Sequence, residues 1–370
     1  MKNNFLASVL IFFTLLTYSQ SYDFKTIIDL EATNVISQGN TGTCWSFSTS
    51  SFLESEIIRL TGQKIDLSEM YNVRHTYLNK SWNYVMRQGK AQFSQGGLAH
   101  DVINSISEHG FVPNSVYSGL LNGNEKHNHS KLEDTLKKTL DLYIKEPKTF
   151  DWKKRTHDIL DTFLGENVES FDYEGTQYTP LSFMKKVKID PKNYITLTSF
   201  SHKPNYINFI LNIPDNFSNG TFFNVPIDEL TNIVNNALEK GFTIELDCDV
   251  SEKTFSAKHG LAIIPVDGVN IENALVNLSK EKEVTQEFRQ QEFENYNTTD
   301  DHLMHITGLL KDQNGTTYYK VKNSWGKNSK RVNYGGYIYM SEAYFKLKTI
   351  SITLHKNALT KKILKILRKA

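Results

Sequence analysis

The sequence predicts an α+β fold of two lobes, one helical and one rich in strands, with a large inserted helical region. Three observations predict it. Helical spacing of apolar residues dominates up to about residue 110, a more charged and mixed stretch follows at 130–225, and after Gly241 short runs of β-branched and aromatic residues take over. The length of 370 residues and a hydrophobic share of 39% suffice for a sizeable core and exclude disorder as the main state. Basic residues number 42 against 41 acidic ones, a net charge of +1, so no overall field draws in nucleic acid or an anionic membrane. Two cysteines are too few for a disulfide scaffold or a four-thiolate zinc site.

At the N-terminus Lys2 precedes the apolar run 5–16 and the small and polar residues Thr17, Tyr18, Ser19 and Gln20. This pattern reads as a signal peptide over 1–19, cut near Ser19 or Ser21. The run is shorter than the ~20 residues that span a bilayer. The expectation is an exported protein, periplasmic or secreted, with no stable membrane anchor. In the segment 20–129, Trp45, Phe47, Phe52, Leu53, Ile57 and Leu60 recur at helical spacing and predict a helix over 44–61, with Cys44 in its first turn and Gly62 as its stop. Further helices are expected at 68–78 and 98–108. The insertion or lid, 130–225, carries helices at 131–144 and 152–163 and then a Gly/Pro-broken loop at 173–180. The lobe 226–358 opens with a helix at 226–240, Pro226 in its first turn and Gly241 as cap, and continues in strands at 242–248, 303–310, 317–321 and 337–340. A basic tail, 359–370, reads as a surface helix.

The chemistry gathers in three short segments. In Gln38-Gly39-Asn40-Thr41-Gly42-Thr43-Cys44-Trp45-Ser46-Phe47-Ser48 a thiol stands at a helix N-terminus, where unpaired N–H groups and the helix dipole favour thiolate. Gln38 can supply a side-chain N–H to a developing oxyanion. The same position also suits a buried structural cysteine. The second segment, Asp300-Asp301-His302-Leu303-Met304-His305-Ile306-Thr307-Gly308, holds two histidines that strand alternation sends to opposite faces, so one of them faces a cleft. A base needs a third group to hold its tautomer. In Lys322-Asn323-Ser324-Trp325-Gly326, Asn323 can accept from the imidazole and Trp325 can shield that bond from water, although Asn-Ser is also an ordinary turn.

Together, Gln-x5-Cys-Trp-Ser-Phe-Ser, Asp-His-x-Met and Lys-Asn-Ser-Trp-Gly, in that order, resemble the papain-like cysteine peptidases, and most closely the bleomycin hydrolase and aminopeptidase C family. Gln95-Gly96-Gly97, Tyr178-Thr179-Pro180-Leu181-Ser182-Phe183, Asp247-Cys248-Asp249-Val250-Ser251-Glu252-Lys253 and Ser341-Glu342-Ala343-Tyr344 extend the resemblance over most of the chain. It implies a papain-like fold, a helical lobe against an antiparallel sheet or barrel lobe. It further implies Cys44 as nucleophile, His302 (with Gly308 six residues on) as base, Asn323 as its orienter, and Gln38 as oxyanion donor. Gly96 and Gly97 would bind a substrate backbone as an extended strand, with Trp325 beside them. The separation of Cys44 from His302 exceeds the roughly 130–150 residues of simple papain-like enzymes, consistent with an insertion.

The implied activity is peptide-bond hydrolysis through an acyl-enzyme, with peptides or proteins as partners and no metal or cofactor. Position 41 is Thr where papain has a bridging Cys, and Cys248 is expected to be a free strand thiol. In the resembled family the C-terminal carboxylate lies in the cleft and restricts cleavage to the substrate's N-terminal end. Here the chain stops at Ala370 after a short basic tail, so aminopeptidase and endopeptidase action both stay open, as does a catalytically silent binding protein with the same fold. The family's hexamer implies a homo-oligomer, while the different lid and tail leave a monomer open. Asp300 and Asp301 are expected at a solvated strand end rather than at a metal, and His109, His127 and His129 at the surface.

Overall fold

The computed structural model describes residues 21–328 and 330–367; the expected signal peptide at 1–19 and the tail residues 368–370 lie outside that range. No described helix is long and apolar enough to cross a membrane. The helices are α1 (Cys44–Thr61), α2 (Glu69–Met86), α3 (Ala99–His109), α4 (Ser130–Lys145), α5 (Trp152–Leu164), α6 (Pro180–Lys186), α7 (Ile227–Glu239), α8 (Ile271–Ala274), α9 (Gln286–Glu294), α10 (Glu342–Lys348) and α11 (Lys361–Leu367). The strands are β1 (Lys25–Asp29), β2 (Phe171–Tyr173), β3 (Thr176–Tyr178), β4 (Tyr194–Thr198), β5 (Asn208–Ile210), β6 (Thr221–Asn224), β7 (Ile244–Cys248), β8 (Phe255–Ser256), β9 (Leu261–Ala262), β10 (His302–Lys311), β11 (Thr317–Lys322), β12 (Tyr337–Ser341) and β13 (Thr349–His355).

Two large hydrophobic cores, and a smaller third around Leu261, Ile263, Leu275, Leu310 and Tyr318, pack against one large sheet. Its strand order is β5-β6-β4-β13-β7-β10-β11-β12-β9-β8, with β1 added antiparallel to β10. The helical core is built from Trp45, Phe52, Leu53 and Ile57 of α1, Val73 and Tyr77 of α2, and Val102 and Ile106 of α3. Leu132, Leu136 and Leu140 of α4, Ile159 and Leu160 of α5, and Phe183 of α6 join the same core. The segment 130–225 thus divides: its helices thicken the helical lobe, while β4, β5 and β6 extend the sheet. The second core lies between the sheet and α7, α10 and α11, around Leu230, Ile233, Val234, Leu246, Met304, Ile306 and Ile363.

Several elements differ from the sequence expectation. Residues 173–180 are not an open loop. They include a β2–β3 hairpin closed by Glu174 and Gly175, both at positive φ (52° and 76°), followed directly by α6. Two central residues at positive φ match the twist of paired strands, and Glu-Gly is a less familiar way of making that turn than Asn-Gly. Pro226 precedes α7 as its N-cap instead of occupying the first turn. Helix α2 runs on to Met86 because Tyr84 and Val85 keep the buried stripe going. His129 is buried and His109 stacks on His75 at 3.9 Å, so the expected surface histidines are packing groups; burial pushes His129 down to about 3. Asp300 is not a solvated strand end either: both its carboxyl oxygens are out of water, beside Asp247, and burial pushes it up to about 8.

Candidate active site

Helix α1 and strand β10 lie against each other, and small side chains on α1 make the fit close. Ser48 Oγ donates to the Met304 carbonyl at 2.6 Å, and Ser51 Oγ lies 2.9 Å from His305 Nδ1. One turn earlier on α1, Cys44 rests against the backbone of Leu303, which favours the charged form of its sulfur. Residues 44, 48 and 51 lie on one helix face, so the seryl contacts set the height at which the thiol meets β10. His305 belongs to this interface and is fully buried, whereas His302 stands at the start of β10 among Asn323 and Trp325.

Asn323 Oδ1 lies 2.8 Å from His302 Nε2 and accepts the Ser324 backbone N–H at 2.7 Å. A backbone N–H can only donate, so the Asn323 atom facing it is the oxygen, and His302 Nε2 must carry the proton. Neutral His302 therefore presents an unprotonated Nδ1. The Trp325 ring lies 4.9 Å from the imidazole, tilted by 32°, and is itself 39% exposed, so it roofs the His302–Asn323 bond against solvent.

Gln38 is fixed at both ends of its amide. Nε2 donates to Thr41 O at 2.7 Å, and Oε1 accepts from Ser324 Oγ at 2.6 Å. One Nε2 hydrogen remains for another acceptor. The Cys44 N–H, first in its helix, has no intrahelical acceptor either. The loop between them is held from below: Asn40 N donates to His127 O, His129 N donates to Asn40 O, and Gly39 at φ 68° passes so close that a Cβ would lie 2.6 Å from His127 O. Gln95 clamps the same loop, since its Oε1 accepts Gly42 N, its carbonyl accepts Trp45 Nε1, and its Nε2 donates to Glu133 on α4.

Burial dominates the electrostatics. It pushes the Cys44 thiol up to about 12, opposed by the Leu303 backbone and reinforced by Asp300, Asp215 and Asp247. It pushes His302 down to about 4, opposed by the bond to Asn323. The helix start favours the thiolate as expected, and burial acts against it. A helix terminus contributes at most ~2 kcal/mol, whereas complete burial shifts a group by several pKa units. Cys248 is free, as is Cys44, and lies opposite His302 across the β7–β10 ladder.

The glycine pair is at the site but not bare. Gly97 packs on the Trp45 ring, and no hydrogen bond among the described residues takes up its backbone N–H or C=O. Gly96 is covered: its carbonyl accepts from Lys80 Nζ, and the Asp215 carboxylate fills the space where a Cβ would stand. Sequence reasoning missed Asp215, and it missed the clamping roles of Gln95 and Ser324.

Residues 14–370 match the model of the Peptidase C1-like family. The chain is 24% identical to Aminopeptidase C of Listeria monocytogenes, over 89% of this chain and 82% of that protein. It is also 24% identical to Aminopeptidase G of Lactobacillus delbrueckii subsp. lactis, over 90% and 83%. The crystal structure of PepW from Lactobacillus rhamnosis superposes with a TM-score of 0.74 at 18% identity, covering 93% of this chain and 85% of that one, which establishes the shared papain-like fold.

Proposed function

The chain belongs to the Peptidase C1-like family of cysteine peptidases, and from that premise we propose that it is an exported aminopeptidase working through Cys44, His302 and Asn323. The observation that carries the triad is the assigned proton on His302 Nε2, which leaves Nδ1 free to take the thiol proton. The Cys44 proton passes to His302 as the sulfur attacks the scissile carbonyl. The oxyanion is received by the Cys44 N–H and the remaining Gln38 N–H. The imidazolium then returns its proton to the leaving amine, and a water activated at His302 hydrolyses the acyl-enzyme. The expulsion of water by Trp325 keeps the ion pair from dispersing before collapse of the intermediate.

Action at the N-terminal end of peptides is supported by the relatives named aminopeptidases. Export is supported by Lys2 and the apolar run 5–16. Alkylation tests the chemistry: iodoacetamide should label Cys44 rather than Cys248 and abolish peptide cleavage in proportion to labelling. Full activity after stoichiometric labelling of Cys44 would remove the nucleophile from the account. Export is tested by expressing the full chain in a host with a secretory pathway; an N-terminus near residue 20 outside the cytoplasm is expected, and an intact Met1 inside would contradict it.

A further inference from the structure

Loop 211–220, between β5 and β6, crosses to the helical lobe and is pinned there. Asn216 Nδ2 donates to the carbonyls of Leu211 and Gly220, Asn216 Oδ1 accepts Gly220 N at 2.7 Å, and Ser218 Oγ donates to Asp101 on α3 at 2.7 Å. Gly220 packs on the His100 ring so closely that a Cβ there would lie 2.2 Å from Nε2. The loop thereby sets Asp215 down on the backbone of Gly96, with carboxyl atoms 1.9–2.5 Å from where a Cβ would be. Gln92 Nε2 steadies one oxygen at 3.0 Å. Gly96 precedes Gly97, so the carboxylate stands one residue along the chain from the open backbone groups of Gly97.

We propose that Asp215 determines specificity by receiving the α-ammonium of the substrate's first residue and ending the cleft there. This rests on the aminopeptidase reading above and names the residue that reads the free N-terminus. The carboxylate has the right chemistry, a rigid double acceptor close enough to Cys44 for its charge to act on the thiol. Burial and Asp101 push the Asp215 carboxyl up and the Lys80 ammonium, which also donates to the Gly96 carbonyl, opposes them, so an arriving ammonium favours its charged form. A peptide that continues upstream, or one capped by an acyl group, must instead place an uncharged amide against the carboxylate in a space the loop already fills.

The experiment compares one peptide in three forms, free, N-acetylated and des-amino, with wild-type protein and with Asp215→Asn, under reducing conditions. The Tm of both proteins is measured as the check on an intact fold. Wild type should favour the free form over either other form by at least ~10-fold in kcat/KM, and Asp215→Asn should bring the ratios to within about 3-fold, mainly through KM for the free form. A variant that keeps the wild-type Tm and the wild-type preference overturns the assignment. Equal cleavage of all three forms by wild type overturns both it and the aminopeptidase reading while leaving Cys44-dependent hydrolysis standing, whereas an unchanged preference in Asp215→Asn overturns the assignment alone. Absence of any Cys44-dependent cleavage overturns both.

Discussion

The His302 imidazole and the Asn323 carboxamide are locked in a single mutual orientation, Nε2–H to Oδ1 over 2.8 Å, because the Ser324 backbone N–H claims the same oxygen. One peptide group downstream of Asn323 therefore decides which ring nitrogen is basic. Asn323 Nδ2 is buried without a partner, so this carboxamide is held by its oxygen alone.

Replacing Asn323 by Ala removes one buried hydrogen bond to a group that becomes charged during turnover. The expected loss is ~1–3 kcal/mol of transition-state stabilisation, ~5–150-fold in kcat, with KM little changed. Trp325→Ala acts on the same pair through solvent. Burial is the first cause of the low His302 pKa, so exposure should move it up from about 4 toward the ordinary value near 6.5. An NMR titration of the ring protons reads this directly, and an unmoved pKa would mean that Trp325 does not shield the pair.

Gln38→Ala should lower kcat by ~10²–10³ if its second N–H faces the oxyanion. Gly39→Ala tests the same donor from a distance. The new methyl meets His127 O and an unfavourable φ, a strain of ~1–2 kcal/mol that shifts the loop carrying Gln38. It should reduce kcat while Cys44 stays alkylatable. Wild-type turnover in both variants would remove Gln38 from the mechanism.

The folded protein should lose stability as pH rises from 6.5 to 8.5. Glu54 and Glu281 are raised to about 7, and Glu245 and Asp300 to about 8, all by burial first. A raised folded-state pKa means that the native state holds protons the unfolded chain has released, so the stabilisation fades as pH climbs through the folded value. This loss begins above the unfolded carboxylate value of ~4.3; the buried histidines, lowered to about 4 and about 3, act in the opposite sense up to ~6.5, so the fall runs unopposed only above that pH. Glu245→Gln should flatten the fall in Tm, by on the order of 2 °C at pH 8.5. A Tm that rises over this interval would contradict the assignment of neutral buried carboxyls.

Much of this architecture was legible in the chain. Cys44 opens α1 and Gly62 ends it, with Gly62 in the left-handed conformation and its N–H on Ile58 O, because apolar spacing and a glycine stop are local signals. His302 and His305 went to different environments as strand alternation required. β13 was missed although its Thr-Ile-Ser-Ile-Thr-Leu alternates; the strand is buried on both faces, so its polar residues bond across the sheet, as Thr353 Oγ1 does with Thr196 Oγ1 at 2.9 Å. Asp215 could not be placed from sequence at all, since its position on Gly96 depends on a contact between residues far apart in the chain. The burial of the Cys44 thiol was not legible for a related reason: the dipole is a local feature of α1, whereas burial comes from β10, Trp45 and the loops around them.

The most direct test of the central claim, that Cys44 is an acylating nucleophile, is turnover of a free peptide by the purified protein under reducing conditions beside Cys44→Ala, read by mass spectrometry. The account predicts shortened peptide with wild type and a loss of ~10⁴-fold or more in the variant, at an unchanged Tm within about 2 °C. Equal cleavage by Cys44→Ala, or an untouched peptide with a wild type whose Cys44 alkylates fully, would contradict it.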